Sequence, residues 1–480
     1  MSLLRRTLLA ATAGAALAPL PPFRTARASG QRTLDLTRRT IEVGGKPATR
    51  YRVVQPDGTW GLTLDQGDMF DVRLQNGLSV DTSVHWHGMT PPWKQDGVPY
   101  ISAPPIAAGR SADFRFPAVP VGTRWMHSHF GLQEQNLLAA PLIVRERSAI
   151  ESGHQEVVVM FEDFSWSSPD EIFADLRKPR PMAMMAANAD AGAARGAMKM
   201  PDAEKAGKGD RDLNDVTYAA FLANDRTLAD PQVFDVDKGA EVRLRLINGA
   251  ASTNFMIELG SIEGTVLTVD GNPVAPVTVR RFPLAVAQRV DILVRMPADG
   301  SAVPVVARGE GRPLQAGVVL RPRGAAVSKI PITAAEAAPA LTLGEEMKLR
   351  ASQPLPARKI DRSVEVDLTG QMLGYVWGLS VNGMAGAPVT VGKGERVELV
   401  MRNTTMMSHP MHLHGHSFQV TEIDGKPLAG ALRDVLLVTP GTTAKVVFDA
   451  DNPGIWAYHC HNLYHLAAGM FTTVVYRDFT

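Results

Sequence analysis

One pattern occurs three times in this chain of 480 residues, and it restricts the fold more than any other feature. Gly67-DMFDVRLQ-Asn76, Gly239-AEVRLRLI-Asn248 and Gly394-ERVELVMR-Asn403 each place an asparagine nine positions after a glycine. Between the two, apolar and polar residues alternate over about six positions, as a half-buried strand requires. Glycine and asparagine at the ends are turn residues. The copies lie 172 and 155 residues apart, too far for a solenoid, and so mark three homologous domains. A second alternating strand comes after each copy, over 108–117, 285–297 and 439–450. No long amphipathic helix interrupts the strands. The expectation is an all-β protein of three sandwich domains.

The expected domains are 29–147, 148–325 and 361–480, with an Ala/Pro-rich linker over 326–360. Residues 1–28 read as an export signal. Arg5 and Arg6 precede an apolar stretch, Leu8 to Leu20, and Ala26-Arg27-Ala28 is a small-x-small cleavage site. Paired arginines suit the twin-arginine route, so a periplasmic mature chain is expected. Pro19, Pro21 and Pro22 end the apolar stretch short of the ~20 residues that a membrane span needs. No stable membrane insertion is expected. A net charge of +1 advertises no field for nucleic acid, and a single cysteine excludes intrachain disulfides. A monomer is expected.

The residues downstream of each repeat separate the domains. Nine residues after Asn76 comes His85-Trp86-His87-Gly88, and nine after Asn403 comes His412-Leu413-His414-Gly415. The same offset from Asn248 gives Ile257-Glu258-Leu259-Gly260, so the middle domain reads as a spacer without ligands. A further pair, His127-Ser128-His129 and His459-Cys460-His461, comes after matching Gly-x-x-x-x segments. Residues two apart on a strand share a face, so each His-x-His presents two imidazoles side by side. Four such pairs supply eight imidazoles, enough for a cluster of three metals between domains one and three. His409, Cys460, His465 and Met470 remain: two imidazoles, a thiolate and a thioether, the blue-copper set. Cys460 alternates with His459 and His461, which puts a thiolate site on one face of the strand and cluster ligands on the other. One cysteine excludes an iron–sulfur cluster. His416 reads as structural, His154 is unassigned, and Met406, Met407 and Met411 read as core.

HWHG, HSH, HPMHLHGH and HCHNLYHLAAGM together resemble the signatures of multicopper oxidases, the family of laccases, copper-efflux oxidases and the copper-resistance protein CopA. The resemblance covers essentially the whole mature chain and implies three cupredoxin-like Greek-key sandwiches and four copper ions. It implies a type 1 copper on His409, Cys460, His465 and Met470. It implies a type 2 copper on His85 and His412, and a type 3 pair on His87, His127, His129, His414, His459 and His461. The implied reaction is one-electron oxidation of a donor, Cu(I) or a small phenol, coupled to reduction of O2 to water. Asp96, nine residues after His87, matches a family carboxylate near the type 2 site and is expected to relay protons. Some efflux oxidases carry an acid after the last type 1 histidine; here that residue is Leu466.

Met182, Met184, Met185, Met198 and Met200 crowd an Ala/Gly-rich stretch. Thioethers select Cu(I), so this stretch is the expected Cu(I) site and copper tolerance the expected role. The alternatives are a laccase-like phenol oxidase without that role and a copper-free cupredoxin scaffold.

Overall fold

A computed structural model describes residues 30–178, 212–477 and 479. The expected export signal over 1–28 and the methionines Met182, Met184, Met185, Met198 and Met200 lie outside the described residues.

The described residues form three pairs of sheets. In each pair the repeated strand holds the same position. Met69–Asn76, Glu241–Asn248 and Arg396–Asn403 pair in parallel with an earlier strand, the first of each domain: Arg32–Val43, Gln155–Phe164 and Arg362–Gln371 respectively. They pair antiparallel with a later strand, Ser111–Pro117, Arg289–Arg295 and Thr443–Asp449. The sequence repeat is therefore a repeat of topology. Inward-facing residues of both sheets fill each core: Val72, Leu74, Trp86 and Leu142 in the first, Leu244, Leu246, Ile257 and Val305 in the second, Val397, Leu399, Met411 and Trp456 in the third.

The repeated asparagines have a larger task than the turn role expected of them. Each is buried at its strand's end. Asn76 Nδ2 donates to Val80 O and Ile106 O (both 2.9 Å), Asn248 Nδ2 to Thr253 O (2.9 Å) and Leu284 O (3.0 Å), and Asn403 Nδ2 to Met407 O (2.7 Å) and Val438 O (2.8 Å). Each Oδ1 accepts the N–H two residues on, from Leu78, Ala250 or Thr405. A side-chain amide thus pins the loop that leads to the next strand, which is the histidine strand in domains one and three. Asn248→Ala removes three buried hydrogen bonds away from any candidate ligand. It is expected to cost about 3 kcal/mol, read as a lower denaturation midpoint, with copper content unchanged.

The second sandwich also reaches its neighbours. Ser168 and Glu171 form a capping box that starts the helix Pro169–Leu176, with Pro169 in its first turn. Ile172 and Leu176 of this helix, with Val216, pack into the third core, and the Asp212 N–H donates to Met406 O at 3.2 Å. Residues 326–360 run along the second sandwich, where Ala351 bridges to Val274 and Leu341 is buried with Ala285 and Leu437. Among the described residues no helix is long and apolar enough to cross a membrane.

Candidate metal centres

Strand parity divides the ligand candidates. On His409–Leu413, His409 and Met411 turn toward the third core and His412 turns away. Cys460, paired with Met411, also faces that core, while His459, paired with His412, faces outward. In the first sandwich Trp86 faces the core between His85 and His87, stacking edge-on to Phe70 at 4.7 Å. His85 lies opposite His127 in register, as His412 lies opposite His459.

The outward faces meet between the first and third sandwiches with a pseudo-twofold relation. His85 stacks on His414 and His87 on His412, each with ring centroids 3.8 Å apart. His129 Nε2 and His414 Nε2 lie 3.4 Å and 3.0 Å from His459 Nε2, and His461 Nε2 lies 3.3 Å from His127 Nε2. All eight are buried except His129, which is half-buried.

The opposite ring nitrogens fix which atom each imidazole offers. His85 Nδ1 donates to Asp96 O (2.9 Å), His412 Nδ1 to Asp434 O (2.8 Å), His414 Nδ1 to Asp96 Oδ2 (2.8 Å) and His459 Nδ1 to Cys460 O (2.9 Å). His127 Nδ1 lies 2.9 Å from Glu134 Oε2. These rings present Nε2. His87 is reversed: its Nε2 donates to Asp434 Oδ1 at 3.1 Å and it presents Nδ1. His85 Nε2, His412 Nε2 and His87 Nδ1 are buried without a hydrogen-bond partner. A buried nitrogen left in this state costs about 1–3 kcal/mol, and a metal ion removes that cost.

Electrostatics points the same way. Burial, then repulsion from neighbouring imidazoles, holds His87, His129, His412, His414 and His461 well below the ordinary histidine value. Burial likewise lowers His459 to about 3. These rings are neutral at physiological pH, the form that ligates metal.

The second group lies inside the third sandwich. Cys460 Sγ is 3.7 Å from both His409 Nδ1 and His465 Nδ1, which are 3.0 Å apart. Burial pushes the Cys460 thiol up, so a thiolate here requires a cation beside it. Met470 is fully buried, its carbonyl accepting the Cys460 N–H at 3.1 Å and its own N–H donating to His465 O at 3.0 Å. The unpaired buried nitrogens, neutral imidazoles and buried thiol fit copper in both groups.

Asp96 joins the two sandwiches: its Oδ2 accepts from His414 and its Oδ1 lies 3.2 Å from His85 Nδ1. His416 hydrogen-bonds Tyr476 Oη at 2.7 Å and takes no part in either group. Met407 and Met411 lie in the core. Three carboxylates had no signal in the sequence. Glu134 sits against His127, Asp434 against His87 and His412, and Asp215 Oδ2 lies 2.8 Å from His465 Nε2. Asp215 also accepts from Tyr375 Oη at 2.7 Å, and the Trp377 ring covers His465 with centroids 4.2 Å apart.

Three family models, each described as multicopper oxidase, match residues 59–149, 156–319 and 358–479. The chain is 33% identical over 420 residues to the multicopper oxidase MmcO of Mycobacterium tuberculosis, covering 85% of this chain and 80% of that protein. It is 27% identical to copper resistance protein A of Escherichia coli, covering 86% and 87%. The crystal structure of Fet3p, a multicopper oxidase that functions in iron import, superposes with a TM-score of 0.75 at 20% identity, covering 94% of this chain and 91% of that one.

Proposed function

The chain belongs to the multicopper oxidase family, and from that premise we propose that it oxidises Cu(I) at the expense of O2 in copper tolerance. Membership makes it a copper oxidoreductase with O2 as acceptor, built of three cupredoxin-like domains. We assign His409, Cys460, His465 and Met470 to a type 1 copper, and His85 and His412 to a type 2 copper. His129, His414 and His459 form one half of a type 3 pair, and His87, His127 and His461 form the other. When bound, these coppers supply one-electron oxidation of the donor and four-electron reduction of O2 to water. Cys460 is joined by peptide bonds to His459 and His461, so the backbone links the two centres covalently. Asp96, within hydrogen-bond reach of His85 and His414, is placed to hold or pass a proton at the O2-reducing centre.

The observation favouring Cu(I) over phenols is the covering of His465. Its outward nitrogen faces the buried Asp215 carboxylate at 2.8 Å rather than solvent. With both side chains fully buried, that edge offers no exposed surface for an aromatic ring to rest on, whereas a small cation is drawn to a carboxylate. Asp215 belongs to the stretch that resumes at Asp212 after the methionine segment, and Leu176 before that segment packs into the same core. The sequence similarity to copper resistance protein A supports the same reading, and the first 28 residues support export to the periplasm.

Steady-state O2 uptake on copper-loaded protein, with Cu(I) and with a phenol side by side, tests this. Deleting 182–200 is expected to lower Cu(I) turnover about tenfold or more while sparing or raising phenol turnover. Equal loss of both activities, or loss of neither, contradicts the Cu(I) assignment.

A further inference from the structure

We propose that Arg289, on the sandwich that supplies no copper ligand, is a positioning residue for the centre shared by the other two. The proposal rests on the assignment of His87 and His412 to that centre. Arg289 is fully buried and grips Asp434 with both ends of its guanidinium, Nη1 to Oδ1 at 2.6 Å and Nη2 to Oδ2 at 2.5 Å. Asp434 in turn accepts from His87 Nε2 through Oδ1 (3.1 Å) and from His412 Nδ1 through its backbone carbonyl (2.8 Å). One aspartate therefore orients a ligand from the first sandwich and a ligand from the third, and an arginine from the second holds that aspartate.

His87 makes the arrangement necessary. It offers Nδ1 where the other rings with fixed tautomers offer Nε2, so its Nε2 must keep a proton and an acceptor. A carboxylate buried beside it is held in place only if its oxygens find partners. The remaining N–H groups of Arg289 are also fixed: Nη1 to Ala287 O (3.0 Å), Nη2 to Asp270 O (3.2 Å) and Nε to Thr123 O (3.2 Å). Thr123 belongs to the first sandwich, so the three sandwiches meet at this one side chain. The glycine after the first His-x-His shows how close they come: a Cβ on Gly88 would lie 2.5 Å from Arg289 Nη2 and 2.9 Å from Asp434 Oδ2. Lysine carries the charge but not the fork, and cannot hold both carboxylate oxygens.

The test is copper retention in the full chain, wild type against Arg289→Lys, Arg289→Met, Asp434→Asn and Arg245→Met. Each protein is loaded with copper and titrated with a chelator. Blue absorption reports the type 1 site, and the type 2 electron paramagnetic resonance signal with total copper reports the shared centre. Arg245 is as buried as Arg289 and pairs with Asp291 and Glu156, but does not touch Asp434. The expected result is loss of shared-centre copper at about 10–100-fold lower chelator in the Arg289 and Asp434 variants, with the blue absorption kept. Arg289→Lys with Asp434→Asn should lose no more than either alone, and Arg245→Met should keep wild-type retention even with a lower unfolding midpoint. Arg289 variants that hold shared-centre copper like wild type overturn the proposal, as does equal loss in Arg245→Met. A wild-type chain that lacks the type 2 signal overturns the underlying assignment as well, and so is told apart from a failure confined to Arg289. If Arg289→Met does not fold, Arg289→Lys and Asp434→Asn decide the matter alone.

Discussion

Cys460→Ser is expected to abolish the blue absorption and reduce O2 uptake with any donor by at least about a thousandfold. The fold should remain. Serine is smaller than cysteine at a site packed by Met411, Tyr458 and Met470, so the stability loss is about 1 kcal/mol. Circular dichroism should be unchanged. The reason is the double position of this one side chain. Its sulfur is shared between His409 and His465 at 3.7 Å, while its neighbours His459 and His461 belong to the shared centre. A hydroxyl is a hard, weakly ionised ligand and reproduces neither the thiolate bond nor its absorption. Copper at the shared centre should survive the substitution. Its loss along with the blue band would mean that the two centres assemble as one unit.

Asp96→Asn should lower kcat with Cu(I) by about a hundredfold or more, the usual cost of removing a positioned acid or base, with the blue band intact. Asparagine keeps the shape and the backbone carbonyl that accepts from His85. It keeps one oxygen to accept from His414, but the other becomes an NH2 group, so the side chain loses its charge and can no longer take up and release a proton. The neighbouring glycine argues for a fixed backbone here: a Cβ on Gly97 would lie 1.8 Å from Val84 O, so the loop cannot shift to compensate. Stopped-flow traces should show normal reduction of the blue band by donor and slowed reoxidation by O2. Slowed reduction instead would place Asp96 in electron entry.

The copper candidates were legible because strand geometry makes a short sequence pattern a spatial one. Two-residue spacing put His85 beside His87 and His412 beside His414, and the same parity separated Cys460 from the histidines that flank it. The repeat was legible for the same reason, since alternation of burial is written into each strand. The function of its asparagine was not: an asparagine at a strand end reads as a turn residue, and only the structure shows Asn403 spanning from Met407 to Val438. The carboxylates were hidden for a different cause. Glu134 lies in the single helical turn Gln133–Asn136, and Asp215 and Asp434 lie in connections between strands, none with a periodicity to read, and each acts on histidines of another segment. Leu466 stands where some efflux oxidases carry an acid, and Glu134 of the first domain lies against His127. Arg289 was the least legible of all. The middle domain lacks ligand histidines and read as a spacer, yet its arginine reaches Asp434 across 145 positions of sequence.

Metal analysis with visible and electron paramagnetic resonance spectra, on protein matured with copper, tests the two copper centres most directly. About four coppers per chain, a blue thiolate band and a separate type 2 signal are expected. A colourless protein that binds no copper would contradict both centres and leave a cupredoxin scaffold in their place.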